Sequence, residues 1–313
     1  MNAQIDISVT DALVGAGIYT AQSEFTCQLK AASYQHEAMD AAFYCENNVD
    51  YVKIDDCGGG HFAQHNTSWI RFRKALDQCK HRILMAVSSC SDPTGCGAWV
   101  ASGAVSADIW RTTGDIQATW GSIMNNLDVN NAMAPVNHAH PFHYNDPDML
   151  QVGNIGLSHQ EQVAHFALWC LITGPLLIST DLNSISNDSL AILTHDELIA
   201  VNQHPSGIQG TLVSKPDPFG VEVWAKKLGT GGSGSSVVVI FLNRASDGKP
   251  RDISTTWEEI GLDLQFALVS TRINVSVRDI WERKDMAPVM SGSGYVAKGV
   301  VAHSVVALKF TVQ

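Results

Sequence analysis

Between Val14 and about residue 205 the chain alternates short β-branched runs with helical stretches, and that alternation leaves few folds open. Strands are expected at Val14–Tyr19, Tyr51–Asp55, Ile83–Val87, Ala107–Arg111, Met149–Val152 and Leu176–Ser179. Helices are expected near 34–47, 66–80, 115–126 and 159–173, the last with apolar residues at helical spacing in HQEQVAHFALWCLIT. Strand–helix–strand repetition implies a parallel sheet covered by helices, here of about six βα units. The pattern changes after His204-Pro205-Ser206-Gly207. VEVWAKKL, SVVVIFLNR, VRDIWER and VVAHSVVALKFTV are expected to be short alternating strands separated by turn-rich GTGGSGSS and SDGKP, which reads as an antiparallel β-sandwich. The expected division is therefore 1–207 for the α/β part and 208–313 for the sandwich.

Composition narrows the partners. With 313 residues, 45% hydrophobic and 16% charged, the chain is long and apolar enough to bury a core, and wholesale disorder is excluded. A net charge of −11 argues against nucleic acid or an anionic membrane as the main partner and fits a neutral small molecule. The best apolar run, Phe166 to Ile178, is broken at Gly174-Pro175 and is shorter than the roughly 20 residues a bilayer requires. The first residues carry Asp6 and Asp11 and no basic cluster, so they do not read as a signal peptide. N-x-S/T sequons at Asn66, Asn187 and Asn274 support secretion only weakly.

In a parallel βα array, ligands gather at the C-terminal ends of the strands. The strand YVKID ends in Lys53, Asp55, Asp56 and Cys57; DIWRTTGDI ends in Arg111 and Asp115; YNDPDML carries Asp146, Asp148 and Met149; AGIY ends in Tyr19. Charged residues are sparse in this chain, yet they collect at these ends. Paired carboxylates across a pocket suit glycoside hydrolysis, where one attacks the anomeric carbon and the other protonates the leaving oxygen. Forks of Asp, Lys and Arg also hold hydroxyl-rich neutral ligands. The alternative is local: Asp115 as the N-cap of the next helix, and NDPD as a turn.

The motifs GIYT (17–20), HEAMDAAFYCENNVDYVKIDDC (36–57), WRTTGDI (110–116), NDPDMLQVGNIGLSHQEQ (145–162), ALWCLITGPLLISTDL (167–182) and AVNQHPSGIQG (200–210) follow in order and at matching spacing. On them the chain resembles glycoside hydrolase family 27, the melibiase-type α-galactosidases and α-N-acetylgalactosaminidases. The resemblance implies a (β/α)8 TIM-type barrel followed by a β-sandwich. It also implies a retaining exo-glycosidase that removes terminal α-linked galactose, needs no cofactor and no metal, and takes a galactose-containing carbohydrate, with a homodimer as one arrangement. By position, Asp55 matches the nucleophile and Asp115 the acid/base; Arg111, Lys53, Tyr19, Asp148 and Met149 match sugar contacts. Retention implies two carboxyls about 5–5.5 Å apart. Lys53 lies on the same strand face as Asp55, and its charge is expected to keep Asp55 ionised; Asp115 is expected to titrate higher.

Cys27 and Cys57 match a family disulfide, and Cys90 and Cys96 are placed to close a small loop, with two free thiols as the other reading. Cys45, Cys79 and Cys170 fall on expected helices and read as buried apolar thiols. A disulfide requires an oxidising route, so the full-length protein is expected to be secreted, lysosomal or vacuolar. His61 and His65 at i, i+4, and His138, His140 and His143 in one loop, lack an HExxH context and read as solvated histidines.

Two departures from the family pattern bear on function. The family barrel has eight strands, whereas this chain begins near the third and contains no WNSW-like or DDGW-like motif. A barrel short of two strands exposes parallel edges, so the chain alone is expected to be poorly soluble and nearly inactive, with an upstream segment restoring both. The rival from another class is an inactive fragment or a sugar-binding pseudoenzyme. The second departure is Cys90-Ser91-Asp92-Pro93 where α-galactosidases commonly present Cys-Glu-Trp and α-N-acetylgalactosaminidases Cys-Ser-Trp. Ser91 leaves room for an N-acetyl group and is the support for that alternative substrate.

Overall fold

In a computed structural model, which describes residues 15–57, 65–88, 107–134, 143–214, 217–229, 234–262, 274–290, 292 and 294–313, four short strands open the α/β part. They are β1 (Ala16–Ala21), β2 (Val49–Asp55), β3 (Leu84–Val87) and β4 (Ile109–Arg111), each paired in parallel with the next. Between them run α1 (Glu37–Glu46) and α2 (His65–Leu76). The chain divides into two units, 1–112 and 113–313.

In the first unit β2 shows the two-residue period directly. Val52 and Ile54 are fully buried and pack with Ala41 and Tyr44 of α1 and Trp69, Phe72 and Leu76 of α2. Tyr51, Lys53 and Asp55 alternate with them onto the other face and stay partly exposed. Asn48, at φ 53°, adopts the left-handed conformation that asparagine tolerates and turns the chain from α1 into β2. Asp108, buried just ahead of β4, accepts the Met85 N–H at 2.8 Å and pairs with Arg73 and Arg82, which ties β4 to β3.

The cysteines correct one expectation. Cys45 and Cys79 are not apolar thiols; they form a disulfide with Cα atoms 5.2 Å apart. Packing of α1 against α2 brings together the last turn of one and the turn after the other, across 34 residues of sequence. Among the described residues Cys170 is a buried free thiol, as expected, and burial raises its pKa. Closing a loop of this length lowers the entropy of the unfolded chain, an effect of about 2–4 kcal/mol. The paired Cys45→Ala/Cys79→Ala variant is therefore expected to be less stable by that amount under oxidising conditions, read as a lower urea midpoint. An unchanged midpoint would show that the bridge does not form in solution.

The second unit begins with α3 (Trp120–Met133), β5 (Tyr144–Asp146), α4 (His159–Leu171), α5 (Asn187–Leu193) and α6 (Asp196–Asn202). The expected 115–126 helix starts five residues later, because the Thr119 side chain accepts the Ser122 N–H and caps it there. Met149–Val152 and Leu176–Ser179 are not strands; they meet only at one parallel bridge, Leu150 to Ile178. Pro147 and Pro175 cannot donate to a ladder, and Asp148 and Gly153 have positive φ, so extended pairing stops there. A capping box of Ser158 and Glu161 starts α4, whose residues Ala164–Leu171 are all buried.

After α6 come β6 (Thr211–Leu212), β7 (Val221–Lys227), β8 (Ser236–Asn243), β9 (Arg251–Thr256), β10 (Asn274–Asp279), β11 (Lys284–Met290), β12 (Gly294–Val300) and β13 (Ser304–Val312). A six-stranded antiparallel sheet in the order β11-β10-β13-β8-β7-β6 faces the β12-β9 pair, the sandwich expected from the alternating runs. Every residue of β8 is buried. Val238, Ile240 and Leu242 pack toward α4, while Val237, Val239 and Phe241 enter the sandwich core. The central strand is covered on both sides, so SVVVIFLN is a continuous apolar run rather than the alternating strand expected from sequence.

Candidate active site

Asp55 is the last residue of β2, and its carboxylate is surrounded by donors. Tyr19 on β1 donates its hydroxyl to Oδ2 at 2.5 Å, the Asp56 N–H donates to Oδ1 at 2.9 Å, and the Ser88 hydroxyl also donates to Oδ1. Register explains the arrangement: Tyr19 pairs with Lys53 and Ala21 with Asp55, so Tyr19, Lys53 and Asp55 share one face at the strand ends. Burial pushes the Asp55 pKa up. The hydrogen bonds from Ser88, Tyr19 and Asp56, followed by the charge of Lys53, outweigh it and hold the carboxyl below the usual carboxylate range. The ionisation expected from Lys53 is thus sustained chiefly by hydrogen bonds.

The surrounding loop is held closely. Gln22 donates to Asp56 at 2.7 Å, Ser23 donates to the Cys57 carbonyl, and the Cys27–Cys57 disulfide expected from the resemblance is present with Cα atoms 4.9 Å apart. Sulfur atoms of both cysteines and a carboxylate oxygen of Asp55 lie within 4.8 Å of one another, but sulfurs bonded to each other are not thiolate ligands. Arg111, at the end of β4, is buried.

The other expected residues lie in the second unit. Asp115 is not a helix cap, since Thr119 fills that role. Asp148, buried and at φ 83°, accepts the Ile116 N–H at Oδ2 and the Met149 N–H at Oδ1, both at 2.8 Å. Its own N–H goes to Asp146 at 2.9 Å, and its carbonyl accepts the Trp169 indole N–H at 2.8 Å. Within NDPD, Asn145 and Asp146 therefore end β5 rather than form a turn, and Asp148 supports the loop that carries Asp115. Positive φ in a non-glycine residue costs about 1–3 kcal/mol and persists where neighbours over-determine it, as these four bonds do.

Ser91, Cys90 and Cys96, with His61, His138 and His140, lie outside the described residues. Two contributors escaped sequence reasoning. Ser88 follows β3, and a search of that strand end would have found it. Asn126, inside α3, donates to the Gly114 and Pro147 carbonyls next to Asp115 and Asp148, and carried no local signal.

Two family models match the chain: Alpha galactosidase A over residues 4–204, and the Alpha galactosidase C-terminal beta sandwich domain over residues 219–310. Alpha-galactosidase 3 of Arabidopsis thaliana is 36% identical over 280 residues, which cover 88% of this chain and 59% of that protein. The alpha-galactosidase of Oryza sativa subsp. japonica is 33% identical over 289 residues, 92% of this chain and 63% of that protein. The chain thus spans less than two thirds of the length of these curated relatives. The solved structure of the Saccharomyces cerevisiae alpha-galactosidase with raffinose matches with a TM-score of 0.80 at 22% identity, covering 95% of this chain and 80% of that chain. That likeness carries the fold class, a (β/α) barrel with a C-terminal β-sandwich.

Proposed function

Since the chain belongs to the melibiase-type α-galactosidases of glycoside hydrolase family 27, we propose that it hydrolyses terminal α-linked galactose with retention of configuration. Asp55 attacks the anomeric carbon as the bond to the leaving oxygen breaks, and Asp115 delivers its proton to that oxygen. Water then attacks the same carbon and gives a proton to Asp115, and the bond to Asp55 breaks to restore its carboxylate. Arg111, Lys53, Tyr19, Asp148 and Met149 serve as sugar contacts. The observation that carries the reading is the Asp55 carboxylate at a strand end, held ionised by Tyr19, Ser88 and the Asp56 N–H. A nucleophile has to be charged, and a residue that only caps a helix needs no such set of donors.

The catalytic part is taken to end near residue 207, a division supported by the two family matches at 4–204 and 219–310. The two disulfides support maturation in an oxidising compartment, hence a secreted, lysosomal or vacuolar protein. Among the described residues no helix is long and apolar enough to cross a membrane.

The test compares p-nitrophenyl α-galactoside, its β-anomer and the α-N-acetylgalactosaminide, with the first-formed anomer read by proton NMR. For the full-length protein, turnover of the α-galactoside with release of α-galactose is the expected result. Preference for the N-acetylgalactosaminide would move the assignment to that relative, and β-galactose as first product would remove the double displacement.

A further inference from the structure

Asn126 lies on α3 and is 2% exposed, with its side-chain nitrogen between two loops. Nδ2 donates to Thr113 Oγ1 at 3.0 Å, to the Gly114 carbonyl at 3.2 Å and to the Pro147 carbonyl at 3.0 Å. Backbone carbonyls only accept, so the amide nitrogen, not the oxygen, has to face them, and its two hydrogens serve three acceptors. Thr113 and Gly114 directly precede Asp115, and Pro147 directly precedes Asp148. One buried amide therefore joins the loop carrying Asp115 to the loop carrying Asp148. The same two loops are joined again where Asp148 Oδ2 accepts the Ile116 N–H.

We propose that Asn126 is the positioning residue for Asp115: it locks the 113–116 loop onto the 147–149 segment and so sets where the acid/base carboxyl stands. The proposal rests on the role assigned to Asp115 above. Asn126 acts only through these loops. A hydrocarbon side chain there would leave the buried Pro147 carbonyl without this donor and would release the Gly114 carbonyl, and a carboxylate would set an acceptor against acceptors.

Asn126→Asp is nearly isosteric and gives a pH-dependent readout. Ionised, the new side chain donates nothing; protonated, it regains one O–H donor for a carbonyl. Burial raises the pKa of such a carboxyl, so recovery should start above the ordinary carboxylate range. The experiment measures hydrogen-exchange protection, corrected for intrinsic rates, at the Ile116 and Met149 amides and along α3 and β8. At neutral pH the variant should lose about tenfold or more at Ile116 and Met149, the equivalent of one or two buried hydrogen bonds, with β8 unchanged. Protection at the two amides should partly return on acidification. In turnover, substrates with poor leaving groups should suffer more than those with good ones, mainly in kcat.

Unchanged protection at Ile116 and Met149 would overturn the clamp, and so would a uniform loss through α3 and β8. Equal damage to both leaving-group classes would overturn the link to Asp115. The exchange result does not depend on turnover, so a chain that cleaves no galactoside would remove the proposed function and leave the clamp decided on its own. If Asn126→Asp does not fold, Asn126→Ser, with one donor in place of two, carries the same exchange test with an intermediate loss expected.

Discussion

Asp55→Asn is expected to lower turnover of p-nitrophenyl α-galactoside by on the order of 10⁴-fold or more, because it removes the atom that forms the covalent intermediate. The fold should survive. The change is nearly isosteric, the amide oxygen can still accept from Ser88 and the Asp56 N–H, and the Tyr19 hydroxyl can accept from the new amide nitrogen. Steady-state rates and a thermal melt, taken together, separate loss of chemistry from loss of structure. A rate close to wild type would remove Asp55 from the role. The pH profile gives a second check. The carboxyl is held below the usual carboxylate range, so the acid limb of kcat/KM should lie correspondingly low. Ser88→Ala takes away the donor that does most to lower it, and the limb should move to higher pH. A limb that stays in place would assign it to another group.

Asp115→Ala is expected to divide substrates by leaving group. General acid catalysis contributes about 10²–10⁴-fold when the departing oxygen is a sugar alkoxide, and much less when it is p-nitrophenolate, which departs without a proton. Hydrolysis of an α-galactosyl oligosaccharide should thus fall steeply while the first step on the activated galactoside is largely preserved. Pre-steady-state release of p-nitrophenol separates that step from hydrolysis of the intermediate, which also needs Asp115 as base. A similar fall in the first step for both substrates would make Asp115 a structural residue.

Much of the architecture was legible in the chain. The two-residue period of Tyr51–Asp55 puts Lys53 and Asp55 on one strand face, and the structure buries Val52 and Ile54 on the other. The helical spacing of HQEQVAHFALWCLIT and the turn-rich segments after residue 207 are equally local in origin. Tertiary structure alone decided the rest. The Cys45–Cys79 bridge spans 34 residues, the Ser88 bond to Asp55 spans 33, and the Asn126 bond to Pro147 spans 21. Periodicity and propensity act over a few neighbouring residues, whereas a buried polar group takes whatever partner packing brings to it. Residues 149–152 and 176–179 have the composition of strands, but prolines and positive φ at the turns left a single bridge between them. The ends of the strands could therefore be read from sequence, but the residues that hold those ends in place became visible only once distant segments had packed together.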